Sequence, residues 1–183
     1  MSIVTVAQFK SFANIADGDT ARELVYQVLL DSAEALVSDY LGYAPAATSY
    51  THTFFGDGKP YINLRAPVNG TITSITINSV AQTVADWLVD FERITNKYGN
   101  ILSVGSFAAV VYSGGFATIP ALVTWTIMRL VSLMIAESGG GIGLSSQSFD
   151  GGNTRNFVNY ANYAKYLAPL ASLRVDRIER KYP

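Results

Sequence analysis

The spacing of apolar side chains changes twice along this chain of 183 residues, and those changes leave few ways to fold it. Val25, Leu29, Ala33, Leu36, Val37, Tyr40 and Leu41 recur at helical spacing. Gly42 supplies a left-handed stop and Pro45 prevents continuation. From Ser49 the period is two, with Tyr50, His52 and Phe54 alternating with threonines. After Ser113–Pro120 the pattern becomes helical again, over Ala121 to Glu137. A strand-rich stretch between helices predicts an α+β fold: a helical core of about four helices with an inserted antiparallel β lobe. The expected organisation is a single domain, with core residues 1–45 and 116–172, a β lobe over 48–113 and a tail over 173–183.

Local signals refine this outline. Thr5 can cap a short helix through Val6, Phe9 and Phe12, which Asn14 to Asp19 then break. Thr20-Ala-Arg-Glu23 has the form of a capping box, predicting that the second helix starts at Thr20. Gly56-Asp-Gly58 is a turn signal, which makes Tyr61, Ile62 and Leu64 the return strand of a hairpin. Ile72 to Asn78, Val80 to Val84, Leu88 to Ile94 and Ala108 to Tyr112 complete about six strands. Pro120 suits the first turn of a helix that is apolar on nearly every face, and so is central to the core or covered by another subunit. Gly139 to Asn153 reads as a long flexible loop carrying Gly139, Gly140, Gly141, Gly143, Gly151 and Gly152. Thr154 to Leu167 reads as a helix with Tyr160, Tyr163 and Tyr166, stopped by Pro169.

The charge balance argues for partners over chemistry. Charged residues make up only 15% of the chain and apolar ones 49%, so part of the surface is neutral enough to be buried later. A net charge of −1 gives no basis for strong non-specific nucleic-acid binding. Asp17, Asp19, Glu23, Asp31, Glu34 and Asp39 face only Lys10 and Arg22 in the first fifty residues, whereas the segment from Arg155 onward is mostly basic. Ends of opposite sign suit head-to-tail pairing of copies, with Asp31, Glu34, Asp39, Arg155 and Lys165 as candidate subunit contacts.

No catalytic, metal or cofactor site can be assembled. His52 is the only histidine, cysteine is absent, and Asp86, Asp90 and Glu92 have no partner base or electrophile. Gly139 to Ser146 leaves a helix and lacks the lysine of a phosphate loop. Phe116 to Ala136 nearly reaches membrane-spanning length, but Pro120, Thr124, Thr126, Arg129 and Ser132 interrupt it, so a buried helix and no membrane contact are expected.

Taken in order, several segments resemble the phage head-tail connector (adaptor) proteins that sit beneath the portal of tailed bacteriophages. These are the helix end Glu34-Ala-Leu-Val-Ser-Asp-Tyr-Leu-Gly42, the lobe beginning Phe54-Phe-Gly-Asp-Gly-Lys-Pro-Tyr-Ile-Asn-Leu64, and Val111-Tyr-Ser-Gly-Gly-Phe-Ala-Thr-Ile-Pro120. Pro67-Val, Ile72-Thr-Ser-Ile and Asp90-Phe extend the likeness through the lobe. Adjacent arginines after a proline, common in that family's tails, are here spread out as Arg174, Arg177 and Arg180 after Pro169. The resemblance implies a non-enzymatic virion subunit at the head-tail interface, assembled in the cytoplasm of a bacterial host. It implies a ring of twelve copies that binds the portal and a tail or stopper protein, with DNA only passing through the channel. Leu173, Arg174, Arg177, Ile178, Arg180, Lys181 and Tyr182 would be the portal-binding tail. Two other readings stay open: a tail-side or capsid-decorating protein, and a carbohydrate-binding β module using Tyr50, Phe54, Phe55, Tyr61 and Trp87.

Overall fold

The computed structural model describes residues 2–16, 18, 20–138, 146–148, 154–156 and 163–175. Among them four helices and two antiparallel sheets of seven strands make an α+β fold, with a separate two-stranded hairpin. The chain divides into two compact units, one of Met1–Tyr40 with Ile119–Leu173, the other of Leu41–Thr118 with the segment that starts at Arg174.

The first unit holds α1 (Val6–Phe12), nearly all of α2 (Glu23–Leu41), α3 (Ala121–Ser138) and α4 (Tyr163–Leu167), which passes into a 3₁₀ segment over Ala168–Leu173. Thr5 caps α1 as its sequence predicts, and Gln8 completes a capping box: the Thr5 side chain accepts from the Gln8 backbone N–H and the Gln8 side chain accepts from that of Thr5. The box expected at Thr20 and Glu23 does not form. Thr20 N–H donates to Gly18 O and the Glu23 carboxylate takes the ammonium of Lys10 at 2.9 Å, so α2 starts at Glu23 instead of Thr20. The reason is burial: the Lys10 side chain is only 3% exposed, and a buried cation needs a counter-charge more than a helix end needs one more acceptor. Phe9, Leu30, Ala33, Val37, Val123, Ile127, Leu130 and Leu170 form the apolar interior of the unit. Pro120 precedes α3, its carbonyl accepting from Val123 N–H. α3 is not buried on every face, since Leu122 and Trp125 are exposed. No described helix is long and apolar enough to cross a membrane.

The second unit departs more from the expected pairing. β1 (Thr48–Phe55) does not turn back into β2 (Tyr61–Asn63). It pairs over its whole length with β7 (Phe107–Gly114), which also pairs with β3 (Val68–Ile77), and β3 pairs with β4 (Val80–Gln82), giving the order β1-β7-β3-β4. The residues 88–94, expected as one strand, are a hairpin: β5 (Trp87–Asp90) and β6 (Arg93–Asn96) pair across a turn where Phe91 is left-handed, and β6 pairs with β2. A 3₁₀ turn over Val84–Asp86 precedes β5.

The glycine pair at 114–115 is required by packing. A Cβ on Gly114 would lie 2.8 Å from the Tyr50 ring, and one on Gly115, which has φ of 95°, would lie 2.7 Å from Ala46 O. Beneath it, the buried Tyr112 hydroxyl accepts from the backbone N–H groups of Arg65 and Ala66, and its ring stacks on Tyr50 at 5.6 Å. Desolvation holds the Tyr112 phenol above its usual range.

The segment expected as one helix from Thr154 instead begins as a strand. β8 (Ser146–Ser148) and β9 (Thr154–Asn156) form the separate hairpin, and α4 covers only the last five residues of the expected helix. The first of those strands falls within the expected flexible loop, whose six glycines lie outside the described residues, as does Tyr160.

Candidate interaction surfaces

Three surfaces stand out. In the first unit, α1 and α3 line an open groove of about 590 Å³ with Val4, Ala7, Gln8, Ser11, Phe12, Thr124 and Met128. Phe12 and Trp125 add exposed aromatic area, and the Arg129 guanidinium lies 4.8 Å from the Trp125 ring and 5.3 Å from that of Tyr166. Tyr166 thus packs toward α3, and Tyr163 is buried, as tyrosines at helical spacing commonly are.

The outward stripe of α2 is the second surface. Leu24, Val28, Asp31, Ala35 and Asp39 recur at helical spacing and all are exposed, apolar toward the start of the helix and acidic toward its end. Of the expected contact acids, Asp31 accepts from Gln27 Nε2 at 2.8 Å on the helix surface and Asp39 is exposed. Glu34 has a different task. Its Oε1 accepts from Ser2 Oγ at 2.9 Å, Ile3 N–H at 2.7 Å and Val4 N–H at 3.0 Å, which ties the chain start to α2. Lys165 is exposed on α4, and Arg155 stands in β9.

The third surface closes one end of the second unit. Phe55 and Phe107 meet edge to face at 5.8 Å, both exposed, and Ile101 and Val104 are also exposed nearby in the chain. Backbone bonds lace the two turns together, from Gly56 to Ser106 and from Gly58 to Leu102. Lys59 bonds Asp57 at 3.0 Å; desolvation opposes the ionised acid, but that ammonium outweighs it and holds the carboxyl below its usual range. The Arg93 guanidinium covers the Tyr61 ring at 4.5 Å.

Of the five aromatic side chains that suggested a glycan platform, Phe54 and Trp87 are buried, Tyr50 stacks inward on Tyr112, and only Phe55 is open. No three metal-ligating side chains gather among the described residues. The tail enters the described structure through Leu173, Arg174 and Val175: Val175 is buried, its N–H donates to Leu41 O at 3.4 Å, and Arg174 is exposed. Arg177, Ile178, Arg180, Lys181 and Tyr182 lie outside the described residues.

No family profile matches the chain, and no curated protein matches it. Solved structures do. A chain in the neck of an empty gene transfer agent particle, computed with C6 symmetry, superposes with a TM-score of 0.63 at 16% identity, covering 98% of this chain and 93% of that one. A chain of the native gene transfer agent virion gives 0.62 at 16% identity over the same shares. The fold is one found in the neck of such a particle.

Proposed function

We propose that this chain is a structural neck subunit of a phage-like particle, assembling as a ring beneath the portal and joining the head to tail or stopper proteins. The observation that carries the reading is the match over 98% of the chain to a chain of a symmetric neck. The order of sequence segments and the exposed apolar area on both units support it independently. Twelve copies obey sixfold symmetry, so the ring size implied by the sequence resemblance accords with a C6 neck. In this reading the subunit acts by contact alone, without catalysis. The α2 acids Asp31 and Asp39 and the basic positions Arg155 and Lys165 are the proposed subunit contacts, and the chain end from Leu173 is the proposed portal-binding element.

The test is the mass of the purified chain, alone and mixed with the portal protein of the same particle. A closed ring with the portal, lost on removal of residues 176–183 while the melting transition persists, is expected. A chain that stays monomeric and unbound with the portal would overturn the reading.

A further inference from the structure

Among the described residues, β1 is an open sheet edge of unusual length for one left bare. Its eight residues pair with β7 in unbroken register from Thr48↔Gly114 to Phe55↔Phe107, and it is the terminal strand of its sheet. The direction of its free groups follows from its neighbours. Phe107 bonds to Asn78 on the β3 side, whereas Gly56 N–H donates to Ser106 O on the β1 side. In β7 the odd-numbered residues therefore bond β3 and the even-numbered ones bond β1. In β1 the even-numbered residues are then the bonded ones, and the N–H and C=O groups of Ser49, Thr51, Thr53 and Phe55 point out of the sheet. None of those four has a backbone partner among the described residues, and all four are exposed.

Protein sheets guard such edges with charge, proline, bulges or short strands. The opposite edge of this sheet is guarded: β4 has three residues, β3 shifts register twice, and Gly70 sits at φ of 88° between. The other sheet ends in strands of three and four residues. β1 reads Thr-Ser-Tyr-Thr-His-Thr-Phe-Phe, without lysine, acid, proline or glycine. An uncharged, regular, β-prone edge of this kind is an aggregation hazard unless the working state covers it.

The same chain carries a sheet that lacks a third strand. β8 and β9 pair only with each other among the described residues, and an isolated two-stranded hairpin is marginally stable in water. We propose that the two deficiencies are met in trans: the β8–β9 hairpin of a second copy adds antiparallel to the free edge of β1, extending the four-stranded sheet across the subunit boundary. Edge and hairpin are different parts of the chain, so the contact is heterologous and continues from copy to copy, as a closed ring needs. The proposal rests on the ring reading above and names the contact that closes it.

The absence of native cysteine allows a direct test. Chains carrying Thr51→Cys alone are mixed with chains carrying Gln147→Cys or Thr154→Cys alone, assembled with portal, and treated with a short bismaleimide. Each chain has one thiol, so any mixed product is intermolecular. A mixed cross-link from at least one of the two hairpin positions, in material whose mass shows the ring, is the expected result. Adding Thr53→Pro removes an outward N–H and no bond to β7, and should lower the mixed yield about fivefold with the melting transition retained. Thr53→Lys keeps that N–H but charges the edge and should act in the same direction. Rings that form without the mixed product overturn the strand contact and leave the ring reading standing, whereas a chain that never assembles overturns both. Self-linking of Thr51→Cys would mean twofold β1–β1 pairing and overturn the hairpin as occupant. So would closure within one chain carrying both thiols.

Discussion

Removing the Glu34 carboxylate should loosen the chain start and little else. Three donors converge on its Oε1: Ser2 Oγ, Ile3 N–H and Val4 N–H, at 2.7 to 3.0 Å. They hold Val4, which is 1% exposed, against the first unit. Bonds to a charged acceptor are stronger than average, but this site is half-exposed and its donors can rehydrate on release. About 0.7 kcal/mol each, or roughly 2 kcal/mol for Glu34→Ala, is the expected loss. For a chain of this size that corresponds to a fall in Tm of about 4–8 °C. Glu34→Gln keeps a neutral acceptor at the same place and should lose about half as much. The local readout is amide exchange: in Glu34→Ala the Val4 N–H should exchange about thirtyfold faster if its opening free energy falls by that amount. Exchange at Ile94, buried in the second unit, should stay unchanged. A Glu34→Ala chain that melts within 1 °C of the parent, with Val4 exchange unaltered, would refute the assignment.

Two further outcomes follow from the same geometry. Gly56→Ala places a Cβ 2.3 Å from Ser103 O and 2.4 Å from Ser106 Oγ, and should cost about 2–3 kcal/mol in urea unfolding, while Gly18→Ala, which meets nothing within 4 Å, should cost little. Tyr43 is pushed up to about 12, first by desolvation and then by Tyr50 and Glu92, whereas in the unfolded chain it ionises near 10. The unfolded state thus releases its proton first on the alkaline side. The stabilisation is complete below pH 10 and is lost as pH rises through 12, by roughly 2–3 kcal/mol. Tyr43→Phe should remove that part of the alkaline loss, read as a smaller drop in stability between pH 9 and 11.5.

The amino-acid sequence by itself determined the elements that depend on neighbours a few residues away. The Thr5 cap, the helix closing at Gly42 and the change of period at Ser49 are all local, because a cap or a one-sided stripe is satisfied within a turn or two. The buried face of α2, however, runs through Tyr26 and Leu30 and leaves Val25, expected in the stripe, exposed. The α+β class followed from those local signals, whereas the need for glycine at 114 and 115 is explained only by the rings and carbonyls that surround them. Pairing was a different matter. Gly56-Asp-Gly58 looks like a hairpin turn, yet β1 meets β7 about fifty residues away, since one alternating pattern fits any partner of the same length and the stacking of Tyr50 on the buried Tyr112 selects among them. Glu23 carried a capping-box signal, and the buried Lys10 outbid it. Glu34 read as a surface acid because nothing local shows that the chain start folds back onto α2. The open edge of β1 was equally invisible: its threonines are written in the sequence, but an edge exists only once the order of strands is settled, and that order is decided by contacts between residues far apart in the chain.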